Sequence, residues 1–92
     1  MRMKHASHQS QLRRLKRIEG QVRGLARMIE EERYCIDILT QLRAARAALK
    51  KVEEHVLREH VEHCVVRAVE GGGQERREKI DELLDAVARF SG

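Results

Sequence analysis

From Cys35 to the triplet Gly71-Gly72-Gly73 the chain contains neither glycine nor proline, and proline is absent from all 92 residues. Nothing in that stretch turns the backbone. Ile38, Leu42, Ala45, Leu49, Val52 and Val56 keep a near-heptad rhythm, which Ile36, Leu39, Val61 and Val65 broaden. The pattern predicts one helix from about Arg33 to Val69, roughly 55 Å long at ~1.5 Å per residue. A rod of that length cannot bury its apolar stripe inside a monomer of this size, so a second copy is expected to cover it.

Two shorter helices flank it. From about Ser7 or Ser10 to Glu30, Leu12, Leu15, Ile18, Val22, Leu25 and Ile29 form a seam, with Arg13, Lys16, Arg17, Arg23 and Arg27 mostly off it. Gly20 and Gly24, one turn apart, permit close approach of another helix or a phosphate backbone. The run Glu30-Glu31-Glu32-Arg33 is the expected break, its carboxylates matching the positive end of the next helix. Three glycines at 71–73 end the long helix and supply a turn. From about Gln74 to Phe90, the residues Ile80, Leu83, Leu84, Val87 and Phe90 define a last amphipathic helix. With no strand pattern and no internal repeat, the expected fold is an all-α, three-helix protomer in a single domain, 1–92, whose residues 1–9 form a mobile arm.

Three residues on the long helix carry soft-metal chemistry. His60 and Cys64 are spaced i,i+4 and share a helix face. Cys35 precedes His60 by twenty-five residues, roughly 37 Å along one helix, too far for one site within a subunit. An antiparallel pair of helices would bring Cys35 of one chain to His60 and Cys64 of the other. Two thiolates and an imidazole suit Cu(I) or Zn(II) rather than Mg, Ca or Mn, and three ligands match the low coordination number of Cu(I). Zn(II) would want a fourth ligand. His63 is turned about 100° from Cys64, His5 and His8 read as solvated tail residues, and His55 as an exposed polar one. Singly, each cysteine reads more readily as a small buried hydrophobe, and an isolated His as a solvated or hydrogen-bonded residue.

Charge points to a polyanion. Residues 1–27 hold eight basic side chains against Glu19 alone, a net +7, leaving −3 for the remainder of a chain whose total is +4. No run approaches the ~18 apolar residues of a membrane span, and MRMKHASHQSQ at the start has no apolar signal core, so a cytosolic setting with reduced thiols is expected. A nucleophilic role for Cys35 or Cys64 lacks any accompanying oxyanion-hole or pocket signature, and an enzyme is not expected.

The run RLKRIEGQVRG at 14–24, Tyr34-Cys35, and REHVEHC at 58–64 resemble the CsoR/RcnR family of metal-responsive repressors over nearly the whole chain. The spacing Cys-x24-His-x3-Cys looks like the copper-sensing branch. The nickel and cobalt branch usually ends on His and uses an N-terminal His near position 3, where this chain has Met3 with His5 nearby. The persulfide-sensing branch would carry Cys in place of His60, and the formaldehyde-sensing branch an N-terminal proline. The resemblance implies a protomer dimerising through an antiparallel four-helix bundle, with dimers pairing into a homotetramer. It further implies that Tyr34 and Glu82, in IDELLDAV, hydrogen-bond the ligand histidine, and that Arg14 and Lys51 bind operator double-stranded DNA.

Lys16, Arg17, Arg43, Arg46 and Lys50 would extend that basic surface, although Arg43, Arg46 and Lys50 read equally as a solvated helix face. There is no helix-turn-helix and too few aromatics for base stacking, so binding is expected mainly to duplex phosphates. The function expected is a Cu(I)-responsive repressor that binds DNA in the apo form and releases it on metal binding. The alternatives are a sensor of Zn or Ni/Co, or a helical metal buffer that does not bind DNA.

Overall fold

The computed structural model describes residues 6–90. A 3-10 turn, Gln9–Gln11, leads into α1 (Leu12–Glu30), followed by α2 (Cys35–Glu70) and α3 (Gly73–Phe90). No strand occurs among the described residues. The all-α, three-helix reading is therefore correct, with helix ends within two residues of expectation for α2 and α3. Of the expected mobile arm, residues 1–5, with His5, lie outside the described residues. Ala6 is buried, and Gln9 already belongs to the 3-10 turn.

α1 stops at the acidic run through a Schellman motif. Arg33 N–H donates to Met28 O at 3.0 Å, and Glu32 N–H donates to Ile29 O at 3.1 Å. Glu32 occupies the left-handed position at φ 54°, where glycine is the usual residue. α2 starts three residues later, with the Tyr34 carbonyl accepting from the backbone N–H groups of Asp37 and Ile38. Asp37 places a carboxylate in its positive first turn. At the other end Gly71 N–H donates to Arg67 O at 2.9 Å, and Gly73 takes a left-handed φ of 55° to start α3.

The described residues form two compact units, Gln9–Glu53 and residues 6–8 with 54–90. In the first, Ile18, Leu25, Ala45 and Val52 of the expected seams are buried together with Gln11, one residue per heptad on each side. Leu12, Leu15, Val22, Ile29, Leu42 and Leu49 belong to the same seams yet stay exposed in the single chain. In the second unit Cys64 and Ala6 are the buried apolar residues, while Val65, Val66, Val69, Ile80 and Leu84 are exposed.

Candidate metal centre and basic surface

The second unit holds His60 and Cys64, two of the three residues expected to bind metal. α2 runs down and α3 runs back beside it, so their contacts form a ladder. Nearest the turn, Arg67 Nη2 donates to Glu75 Oε1 at 3.3 Å. Arg76 Nε donates to Ala68 O at 3.0 Å, and its Nη2 to Gly71 O at 3.2 Å. Next, the Cys64 thiol donates to Lys79 O at 3.0 Å. Farthest from the turn, His60 Nε2 faces Glu82 Oε1 at 3.8 Å. That separation is an ion-pair distance, longer than a hydrogen bond. The second oxygen of Glu82 is held by Lys79 Nζ at 3.4 Å.

Cys64 is 3% exposed and lies in the wall of a groove of about 460 Å³ that it shares with Val65, Ala68, Val69, Ile80 and Leu83. Burial pushes its thiol above the ordinary cysteine value; the nearby Glu82 carboxylate adds to the rise and the Lys79 ammonium opposes it. Both cysteines are free thiols, Cys64 buried and Cys35 exposed. Cys35 and Tyr34 stand at the start of α2 in the other unit, where the Tyr34 side chain is exposed. Among the described residues of one chain, no three His, Cys, Asp or Glu side chains stand together as a metal site.

The other histidines take separate places. His8, expected as a solvated tail residue, has its Nδ1 3.1 Å from Glu59 Oε1. His63 Nε2 is buried without a hydrogen-bond partner among the described residues.

The donor set fits a soft ion. His60 faces Glu82 through Nε2, which leaves Nδ1 for coordination, and Cys64 lies one turn away with a thiol that ionisation would convert to a soft ligand. Glu82 stands where a carboxylate would set the tautomer of that histidine. Residue spacing reveals the His60–Cys64 pair, whereas it gives no sign of the Lys79 carbonyl or of Arg76. A backbone acceptor has no sequence signature, and Arg76 looks like any other basic residue on a charged helix.

In the first unit Arg14, Lys16 and Arg17 on α1 and Arg43, Arg46, Lys50 and Lys51 on α2 are all exposed. None of the seven forms an ion pair among the described residues, in contrast to Arg23, which meets Glu19 at 3.4 Å. Among those residues their charge is thus not neutralised.

Residues 7–89 match the family described as Metal-sensitive transcriptional repressor. The chain belongs to that family. It is also 54% identical over 78 residues to the copper-sensing transcriptional repressor RicR of Mycobacterium tuberculosis (strain ATCC 25618 / H37Rv), covering 85% of this chain and 81% of that protein. Identity to the copper-sensing repressor CsoR of Bacillus subtilis (strain 168) is 51%, covering 85% and 75%.

Two solved structures share the fold. The copper-sensing repressor CsoR with Cu(I) from Geobacillus thermodenitrificans NG80-2 matches with a TM-score of 0.71 and 46% identity, over 91% of this chain and 85% of that one. The nickel-responsive transcriptional regulator InrS matches with a TM-score of 0.77 and 37% identity, over 98% and 99%. Membership in a repressor family bears out the expectation of a metal-responsive regulator rather than an enzyme. No helix among the described residues is long and apolar enough to cross a membrane.

Proposed function

We propose that this chain is a Cu(I)-responsive repressor, one domain that binds operator DNA without metal and releases it when Cu(I) is bound by Cys35, His60 and Cys64. The observation that carries the reading is the half-site on α2: His60 and Cys64 one turn apart, with His60 Nε2 turned to Glu82. Similarity to repressors named as copper-sensing supports copper as the inducer. Cys35 comes from a second copy, and the exposed seam residues Leu42 and Leu49 favour burial in a homodimer or homotetramer.

Once bound, Cu(I) supplies a soft, low-coordinate centre that favours thiolate and imidazole. The rest is the work of the chain. Cys64 would hold the ion as a thiolate, a form with no proton to donate to the Lys79 carbonyl that it now meets. His60, whose Nε2 faces Glu82, would offer its other ring nitrogen to the ion and direct an Nε2 proton toward Glu82, with Tyr34 as the other expected partner. One tie between α2 and α3 would thus be exchanged for another, which would couple occupancy to helix position. Arg14 and Lys51, extended by Lys16, Arg17, Arg43, Arg46 and Lys50, contact DNA phosphates in the cytosol.

Anaerobic titration of the operator complex with Cu(I), Zn(II) and Ni(II) tests the reading. Release at the lowest free concentration by Cu(I) supports it. Release by Ni(II) alone favours a nickel sensor instead, the reading to which the likeness to InrS points. Failure to shift its own promoter DNA would leave a metal buffer.

A further inference from the structure

The link between α2 and α3 is built from Gly71, Gly72 and Gly73, residues that tolerate many backbone conformations. The turn by itself therefore does not dictate the angle between the helices. We infer that Arg76 is the positioning residue that sets this angle and thereby holds Glu82 against His60.

Arg76 projects from the first turns of α3 onto the end of α2, donating to Ala68 O at 3.0 Å and to Gly71 O at 3.2 Å. Both carbonyls lie at the C-terminal end of α2, where intrahelical donors run out and a cation is favoured. A guanidinium has its donors fixed in one plane, so two bonds to two carbonyls define an orientation as well as a distance. The junction is tightened beside it. Glu75 accepts from Arg67, and a Cβ at Gly71 would lie 3.1 Å from Glu75 Cδ and 3.2 Å from Arg67 O.

From that anchor the ladder steps by three residues on α3 and four on α2. Arg76 meets Ala68, Lys79 meets Cys64, and Glu82 meets His60. Glu82 is nine residues beyond Gly73, about 13.5 Å along the helix, so a 10° change in angle at the turn moves it by about 2.4 Å. The His60–Glu82 separation of 3.8 Å is just outside hydrogen-bonding range, so a shift of that size decides whether the bond forms.

Two measurements on the full chain test the inference. The first needs no metal: nuclear Overhauser effects between the His60 ring and the Glu82 side chain report the contact, with circular dichroism confirming the fold. Arg76→Ala is expected to lose most of that intensity. Arg76→Lys, which can cap one carbonyl, should recover part of it. Full intensity in a folded Arg76→Ala overturns the inference. If Arg76→Ala does not fold, the same comparison is made with Arg76→Lys, where reduced intensity supports the inference and full intensity overturns it.

The second measurement rests on the function proposed above. It reads the factor by which Cu(I) weakens operator binding, in a cycle with Glu82→Gln. Arg76→Ala should cut that factor by about fivefold or more, with no further cut in the Glu82→Gln background. Additive losses overturn a route through Glu82. A wild-type chain whose operator binding ignores Cu(I) sinks the functional reading, and the metal-free measurement then decides the role of Arg76.

Discussion

Cys64 donates its thiol proton to the backbone carbonyl of Lys79 across 3.0 Å, so the sulfur proposed as a metal ligand also ties α2 to α3. Burial, then Glu82, raise that thiol above its ordinary value of 9.0, with Lys79 opposing. A pKa raised by folding means that the folded chain holds the proton more tightly than the unfolded one. The associated stabilisation is complete below the unfolded value and is lost as pH rises through the folded one. Denaturation midpoints are expected to fall as pH climbs past 9.0, and the fall should be smaller in Cys64→Ser. Superimposable pH profiles for the two proteins would contradict this.

The two thiols differ in access, Cys35 exposed and Cys64 buried. Thiolate chemistry follows access and ionisation. In the metal-free chain iodoacetamide should label Cys35 at least about tenfold faster than Cys64, a ratio that peptide mass spectrometry measures directly. Equal rates would show that the α2–α3 contact opens readily.

Glu32 closes α1 from the left-handed region at φ 54°. A side chain there costs about 1–2 kcal/mol, against which glycine carries its greater freedom in the unfolded chain. Glu32→Gly is expected to stabilise the chain by about 0.5–1 kcal/mol, raising the melting temperature by a few degrees. A lower melting temperature would mean that the carboxylate itself contributes at this turn.

Removing a ligand and removing the group behind it should separate. His60→Ala is expected to abolish Cu(I)-induced release of DNA by deleting both a donor and the link to Glu82. Glu82→Gln keeps all three proposed ligands, so copper stoichiometry should persist while the loss of operator affinity on adding Cu(I) shrinks by about tenfold or more. Normal release in Glu82→Gln would remove Glu82 from the relay.

The exposed Arg14 and Lys51 offer a further test. If each side chain meets one phosphate, Arg14→Ala and Lys51→Ala should each lower the slope of log affinity against log salt by about one. They should weaken all duplex sequences alike. A slope that does not move would place these residues outside the interface.

Helix boundaries were legible because chain breakers are few and well placed. The three glycines marked the end of α2, and the acidic run marked the end of α1. The conformation at that second break was not legible, since Glu32 fills a position where glycine is the familiar sign. His60 and Cys64 were found through their i,i+4 spacing, which needs only the helix. Glu82 entered through resemblance to relatives, and its approach to His60 depends on the angle at a glycine turn, which local sequence does not specify. Arg76 and the Lys79 carbonyl escaped altogether, because their roles arise from the register of two helices rather than from residue type.

The ladder between α2 and α3 has a bearing on how the molecule is built in time. Its hydrogen bonds join residues no more than fifteen positions apart, a low contact order that closes short loops at small entropic cost and so favours fast formation. The ladder is thus expected to form early, and the His60, Cys64 and Glu82 that flank it all come from one polypeptide.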